Sequence, residues 1–410
     1  MAESAPQPIE QSPAHIRHLQ SAVFSPAILR RKGYIIDPLT KDELERKKRC
    51  SRCSKALSKK DKEELAPTKK HLKKAKEVGD KSRGVDVATG PRGGQALQRN
   101  FSLLRVDNAE GEANGGPLSP VNGREGDKEG NKAGREQLKR CRFHSGVVQA
   151  KLWTCCKKHV SAAPCCQDDN HLPIQYAPGE IEANWLFHRT PQSGGRNPQQ
   201  SFAIAVAIDC EMGVSDSGES ELIRATVVDY FSGAVLLDSL VFPDVKMKHY
   251  NTRFSGITRQ DMNEARRRRT CIFGRSSARK AIWRCVGPRT IIIGHGLNSD
   301  LLSLRWIHPF VVDTMLIEEE IVHAAKAGLP EDPDQELNEK QKRLLEISKT
   351  PLSLKSLALL RLKRHIQLKG QGHDSVDDAL AARDLLHWHL VHRIAPESSS
   401  SVPSTDGRTV

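Results

Sequence analysis

A chain of 410 residues is long enough for two or three domains and a sizeable core. Its net charge of +14 is uneven: residues 1–200 hold 36 Lys and Arg against 23 Asp and Glu, whereas residues 201–395 hold 27 against 25. A basic arm ahead of a near-neutral domain points to a polyanionic partner, nucleic acid first, or to nuclear import, and the absence of any bilayer-length apolar stretch or signal-peptide pattern argues against a membrane or secreted protein.

Residues 1–32 are polar and Pro-containing and are expected to be disordered. Residues 33–56, beginning GYIIDPLTKDELERKKRC, read as a basic leader that ends on a CxxC, Cys50 and Cys53. Residues 57–135 are rich in Lys, Gly, Glu, Asn and Asp with few aromatics, and cannot bury enough apolar surface to offset ordering entropy. They are expected to be a disordered linker. Residues 136–176 carry a Cys/His cluster, and 177–200 read as a second linker. The globular pattern runs from 201 to 392, and 393–410 are expected to be a disordered tail.

Within the globular part, strands are predicted over 202–208, 222–229, 234–241 and 289–295. Helices are predicted over 258–265, 274–287, 298–306, 351–362 and 375–390. Strands in series followed by strands alternating with helices indicate an α/β domain around one mixed sheet.

The stretch AIAVAIDCEMG (203–213) reads as a buried strand whose last third turns acidic. Residues two apart in a strand share a face, so Asp209 and Glu211 project together while Ile208 and Cys210 face the other way. Two carboxylates side by side repel each other and resist desolvation unless a cation sits between them, and a hard divalent cation suits oxygen ligands. A frayed strand end with both acids in water would serve as well on this stretch alone. Downstream, GHGLNSDL opens a helix bearing Asp300, and GHDSVDDALAARDLL puts His373 just before a helix whose first turns hold Asp377 and Asp378. Ser375 or Asp374 is placed to cap that helix. Four carboxylates and one His are the parts for two-metal phosphoryl transfer with a His general base.

The order IDCEMG, GHGLNSDL, GHDSVDDA resembles the DEDDh exonucleases of the ribonuclease H-like superfamily, in the branch that contains eukaryotic RNA exonucleases. FSGITRQDM (254–262), VGPRTIIIGHGLNSDLLSLRWIH (286–308) and VVDTM (311–315) extend the likeness over residues 201–392. The resemblance implies a five-stranded mixed sheet with flanking helices and 3′–5′ hydrolysis of RNA. It implies two Mg²⁺ or Mn²⁺ ions on Asp209, Glu211, Asp300 and Asp378, with Asp377 the competitor of Asp378 and His373 the base. Met212 would flank the terminal base or simply pack in the core, and Asp313 would be structural. Two departures stand out. EARRRRTCIFG (264–274) sets four Arg where relatives have a milder segment, either a phosphate-binding patch or a solvated run. Residues 316–349 look like an inserted surface excursion.

Seven of ten cysteines precede residue 170, in adjacent pairs mixed with His. That favours metal over disulfides. Cys50, Cys53, Cys141, His144, Cys155, Cys156, Cys166 and His171 make eight ligands, enough for two structural Zn²⁺ ions, with Cys165 and His159 as spares. The layout resembles cysteine- and histidine-rich domains of the CHORD type, and the leader is similar to one in fungal RNA exonucleases of the exonuclease 3 type. The leading expectation is a nuclear, metal-dependent 3′–5′ exoribonuclease that trims RNA precursors. A DNA exonuclease, and a zinc-module scaffold with an inactive nuclease fold, are the alternatives; the Cys/His spacing does not match a C₂H₂ finger.

Overall fold

The computed structural model describes residues 6–57, 141–192, 202–330, 336–368 and 372–393. The linker expected over 57–135 and the tail from 394 fall almost wholly outside the described residues. The chain divides into two compact units, one of residues 41–182, the other of residues 1–40 with 183–410.

The disorder expected over 1–32 is corrected by the structure for residues 6–32, the part of that span it describes. Two helices stand there, α1 (Pro13–Ser21) and α2 (Pro26–Arg31), each with a Ser N-cap, Ser12 or Ser25, and a Pro at the first position. The Ser side chain satisfies an orphan N–H, and Pro has no N–H to waste. Leu19 and Leu29 are fully buried in the core of the larger unit. Backbone bonds from Ile9 to Phe231 (2.8 Å) and from Phe24 to Val311 (3.0 Å) tie the segment down. Composition hid this because the apolar surface that these helices need is supplied by the sheet.

In the 41–182 unit, α3 (Lys41–Glu45) precedes the CxxC. The strands β1 (Cys141–Phe143) and β4 (Cys166–Asp168) pair antiparallel, as do β2 (Val148–Gln149) and β3 (Leu152–Trp153). Its buried apolar cluster consists of Cys50, Cys53, Leu57 and Cys141, with Phe143 against it. The expected linker over 177–200 is also partly structured: α4 (Glu180–Asn184) leads to β5 (His188–Arg189).

The larger unit is built on β6 (Ala205–Ser215), β7 (Ser220–Asp229) and β8 (Val235–Phe242), an antiparallel meander. β9 (Met247–His249) pairs with the far end of β6. Then come α5 (Thr252–Ser255), α6 (Arg259–Arg268), β10 (Ile272–Phe273), α7 (Gly274–Ile282), β11 (Ile291–Gly294) and α8 (Asn298–Ser303). β12 (Trp306–Ile307) pairs with β5, and β13 (Val311–Asp313) runs parallel to β11, itself parallel to β6. The sheet order is β10-β8-β7-β6-β11-β13. Five strands form the expected mixed sheet, and the short β9 and β10 raise the count to seven. The chain continues through α9 (Thr314–Ala327), α10 (Glu339–Ser348), α11 (Leu354–Leu357), a π-helical turn (Ala358–Leu362) and α12 (Ser375–Arg393). The single helix expected over 351–362 is thus broken by the π turn. Among the described residues no helix is long and apolar enough to cross a membrane.

The sheet has a core on each face. Val206, Ile208 and Cys210 join one cluster with α7 and α8; Ala205 and Ala207 join the other with Ala379, Leu386 and Leu390 of α12. The opposite side of α12 buries Ala381, Ala382 and Leu385 against α11 and the π turn. A helix packed on two sides is apolar most of the way round. The excursion expected at 316–349 holds for α10, which buries nothing, but α9 is a core helix with Leu316, Val322 and Ala325 inside. Its Glu318, 0% exposed, is held by both guanidinium arms of Arg361 at 3.1 Å. Burial pushes that carboxyl up, but His389 and Arg361 more than offset it and bring it to about 2.

Leu29→Ala should destabilise the larger unit by about 2–5 kcal/mol, the usual range for a core Leu truncation. Urea unfolding of the full chain measures it, and wild-type stability in that variant would mean that the N-terminal helices are not part of the core.

Candidate active site and metal centres

Strand parity carries the small side chains Ala205 and Ala207 along the α12-facing side of β6, then Asp209 and Glu211 on the same side. The alanines let α12 approach closely, and its first turn brings Asp378, 3% exposed. Asp300, 6% exposed, enters from α8, where its Oδ1 accepts the Cys210 N–H at 2.8 Å. Each of the four acids therefore comes from an element pinned by packing, and one of them is hydrogen-bonded to the strand between two others.

Asp377 and Asp378 are separated by orientation. Asp377 is taken by Arg364, outside the cluster. Asp378 Oδ2 accepts from Gln367 Nε2 at 2.8 Å, and its Oδ1 is buried without a hydrogen-bond partner. His373 Nδ1 lies 3.5 Å from Asp378 Oδ2. The loop before the helix thus leans the His over the site, and Ser375, paired with Thr226 at 2.6 Å, sits behind it. A glycine contact fixes the loop: a Cβ on Gly372 (φ +78°) would come within 2.4 Å of the Gly256 Cα. Gly256 belongs to FSGITRQDM, so two distant motifs meet backbone to backbone. Phe254 of the same motif presents its edge to the His373 ring at 6.4 Å and is 40% exposed.

The cluster is electrostatically unsatisfied. Burial, then Asp300, Asp378 and Glu211, raises the Asp209 carboxyl well above its ordinary range, although part of Asp209 remains exposed. Burial and Asp378 push Glu211 up to about 8. Burial is also the first cause for Asp300, at about 7, and for Asp378, at about 6. Arg224, opposite Glu211 across the β6–β7 ladder, pulls Asp209 and Glu211 back down, but its guanidinium is committed to Asp238 at 2.8 and 2.9 Å. Burial and then Lys355 lower His373, so its imidazole is neutral at pH 7. An orphaned buried oxygen among crowded carboxylates is the environment that a hard divalent cation fits.

Other expected residues fall differently. Met212 is half-buried against the core, and its carbonyl accepts from Asn251. Asp313 caps α9 through Met315 N and also accepts from Gly296 N, Leu297 N and Tyr34 OH. Sequence reading missed Arg224, Gln367 and Tyr34, since none lies in a motif with the acids and only the tertiary fold joins them.

The Cys/His residues gather in two groups, each with its ligand atoms within 4.8 Å of one another: Cys50, Cys53, Cys141 and His171, and His144, Cys155, Cys156 and Cys165. In the first, the Cys50 and Cys141 sulfurs are 3.7 Å apart and Cys53 Sγ is 3.3 Å from His171 Nδ1. A tetrahedral zinc with Zn–S of about 2.3 Å sets sulfurs about 3.8 Å apart, so the spacing fits. A hydrogen bond with Cys53 pushes the Cys50 thiol down to about 4; the same contact pushes Cys53 up, and burial brings Cys141 to about 11. One thiolate is tolerated there, and a cation is needed for three.

In the second group His144 Nδ1 lies 3.7 Å from Cys155 Sγ and 3.6 Å from Cys156 Sγ. Its Nε2 bonds the Ala162 carbonyl at 3.2 Å, which sets the tautomer that turns a lone pair on Nδ1 toward the sulfurs. Cys166 is the expected fourth member of this group, and the structure groups Cys165 there instead. Cys166 pairs with Phe143 in the β1–β4 ladder and turns its sulfur to Ser145, while Cys165 Sγ sits 3.5 Å from Cys155 Sγ.

No family model matches the chain. RNA exonuclease 3 of Candida albicans is 30% identical over 261 residues, 64% of this chain and 56% of that protein. Exonuclease GOR of Pan troglodytes is 34% identical over 280 residues, 66% of this chain and 35% of that protein. The chain therefore spans about half the length of the first and about a third of the second. A solved structure of the Saccharomyces cerevisiae Pan2 pseudoubiquitin hydrolase–RNA exonuclease module in complex with AAGGA RNA is 20% identical, with a TM-score of 0.35 over 52% of this chain and 35% of that one.

Because the site acids hold protons in the folded state that they release when unfolded, the metal-free protein should lose stability as pH rises from about 4 to about 8. Mn²⁺ should raise its melting temperature more at pH 8 than at pH 6, since protons compete for the ligands. Asp300→Asn should melt higher than wild type without metal at pH 8 and gain little from Mn²⁺. An equal Mn²⁺ gain in both proteins would remove Asp300 from the metal site. For the second cluster, Cys165→Ser should reduce zinc bound by the full chain by about one ion per molecule, whereas Cys166→Ser should leave it unchanged; metal analysis of the purified proteins decides.

Proposed function

We propose that this relative of RNA exonuclease 3 and exonuclease GOR, whose larger unit is a DEDD-type ribonuclease H-like exonuclease domain, is a divalent-metal-dependent 3′–5′ exoribonuclease. The observation that carries the reading is the convergence of Asp209, Glu211, Asp300 and Asp378, with the orphaned Asp378 Oδ1 among them and a neutral His373 beside them. Asp209, Glu211, Asp300 and Asp378 would hold Mg²⁺ or Mn²⁺. Two such ions, when bound, supply the positive charge that activates a water and stabilises the leaving oxygen. The rest is done by the chain. His373 Nδ1 faces Asp378, which fixes the ring and leaves Nε2 to take the proton from the attacking water. Phe254, exposed next to His373, offers a face to the terminal base, and Met212 lies on the strand between the acids and Gly213.

The choice of RNA rests on the names of the relatives and on the basic N-terminal half. Zn²⁺ is proposed for both Cys/His groups, with a structural role, because each offers four N and S ligands and no open position. The nucleus is the proposed location, on the basic excess alone.

The test is a 5′-labelled single-stranded RNA beside its DNA counterpart, with Mg²⁺ or EDTA. The expected result is a ladder that shortens from the 3′ end, needs metal, runs faster on RNA and disappears with Asp209→Ala while RNA binding persists. His373→Ala should slow turnover by about 10²–10⁴, the usual contribution of a general base. A fully active Asp209→Ala protein would overturn the site assignment.

A further inference from the structure

We infer that the basic end of α6, together with the exposed aromatic edge of β8 and β10, is a second RNA-binding surface that holds unpaired nucleotides on the 5′ side of the scissile bond. The inference rests on the exoribonuclease reading and adds to it where the body of the substrate lies.

α6 ends on Arg266, Arg267 and Arg268, and Arg269 follows as its C-cap; all four side chains are exposed. One or two cations complement the dipole at a helix C-terminus. Four in a row exceed that need and repel one another. Glu264 meets Arg268 at 2.5 Å on the same helix, which offsets one charge of the four. A surface of this kind is held ready for an anion.

The charge is interleaved with aromatic rings. The Arg266 guanidinium lies over the Phe242 ring at 4.8 Å. The Phe242 ring centre is 6.0 Å from that of Phe273, which is 48% exposed. β10 pairs with β8 in register, Phe273 beside Phe242, so the two rings are fixed by backbone at the edge of the sheet. A solvated charge run has no reason to sit on a half-buried ring, Phe242, that is itself beside an exposed one, Phe273. Rings beside arginines are what unpaired bases stack on, with the phosphates meeting the guanidinium groups.

The surface is continuous with the active site. Glu211 is in register with Arg224, and Arg224 with Leu240. Two strand spacings put Leu240 about 10 Å from Glu211, and Phe242 is two residues further along. Arg259 of α6 bonds the Met247 carbonyl of β9 at 2.9 Å, which ties α6 to the strand paired with the end of β6. Met262 buries α6 against Ile223 and Met247, so the arginines stand on a rigid support. A strand of a few nucleotides with its 3′ end at the four acids reaches this edge.

The test compares the full-length wild type with the triple variant Arg266→Gln, Arg267→Gln, Arg268→Gln and with a control of equal charge change on α10, Lys340→Gln, Lys342→Gln, Arg343→Gln. Single-stranded RNAs of 4, 10 and 20 nucleotides are hydrolysed at several salt concentrations, with melting temperatures taken to confirm folding. We expect KM on the 20-mer to rise tenfold or more in the α6 variant, kcat to hold, the 4-mer to be unaffected and the control to match wild type. The salt slope of 20-mer binding should fall by roughly 2, at about 0.7 for each phosphate of a single strand that an arginine no longer neutralises. Phe273→Ala should raise KM on the 20-mer without changing that slope. An α6 variant equal to wild type at every length, or an equal loss on the 4-mer or in the control, would overturn the inference. Wild type that hydrolyses no RNA would defeat the exoribonuclease reading instead. Fluorescence anisotropy of the labelled 20-mer with the same variants then still decides whether this surface binds RNA.

Discussion

The structure is organised around a repulsion. Four carboxylates are held together, three of them below 9% exposure, with the nearest arginine committed to another acid. Left to itself such a cluster would push its elements apart. The elements cannot move: β6 is paired on both sides, by β7 and β11, and a one-residue slip would exchange its two core faces. Asp300 is tied to the strand through Cys210 N–H, and α12 is gripped between the sheet and the α11–π segment. The cores on the two faces carry the strain, and a cation bound among the four acids would relieve it. This is the trade in which a site gives up stability for function.

Much of this was legible in the sequence because strand parity is exact. Asp209 and Glu211 had to share a face, and the structure puts Ala205 and Ala207 on that same face. What was not legible depends on partners distant in sequence. Arg224 acquires meaning only once the β6–β7 register sets it opposite Glu211. Only the spacing of the family that the chain resembles favours Asp378 over Asp377, and the physical reason, that Arg364 takes Asp377, lies outside the motif. Cys165 and Cys166 pose the same problem: their sulfurs lie 3.7 Å apart, and only the tertiary fold, which brings Cys165 Sγ to 3.5 Å from Cys155 Sγ, groups Cys165 with His144. The N-terminal helices are a different kind of miss. Ser12-Pro13 and Ser25-Pro26 both carry the cap-then-Pro signature, and a polar average obscured it.

The 41–182 unit shows what a small domain does when apolar residues are scarce. Its buried cluster is three cysteines and a leucine, and Trp153 packs on the His144 ring at 4.2 Å. Among the described residues such a cluster buries little apolar surface, and a metal held by the Cys/His groups would contribute directly to folding. The long gap from Cys53 to Cys141 looks prohibitive but is not. The Cys50 and Cys141 sulfurs are 3.7 Å apart and Cys53 Sγ is 3.3 Å from His171 Nδ1, so sequence separation does not keep the CxxC from its partners.

Asp313 explains why residues 6–40 belong to the larger unit. An aspartate that merely capped α9 would need one bond, to Met315 N. This one accepts three backbone N–H groups and the Tyr34 hydroxyl at 2.5 Å. Two of those groups, Gly296 N and Leu297 N, lie in the turn that launches α8 and therefore aim Asp300. Burial beside Asp313 drives the Tyr34 hydroxyl far above its ordinary range, so it stays protonated and donates at any working pH. The segment that carries Tyr34 is anchored by Leu29 in the core and by Phe24 on β13. The chain thus leaves the larger unit at 40 for the second unit and returns at 183. A boundary drawn at 201 from composition would cut away a donor that steadies the turn before one of the four acids.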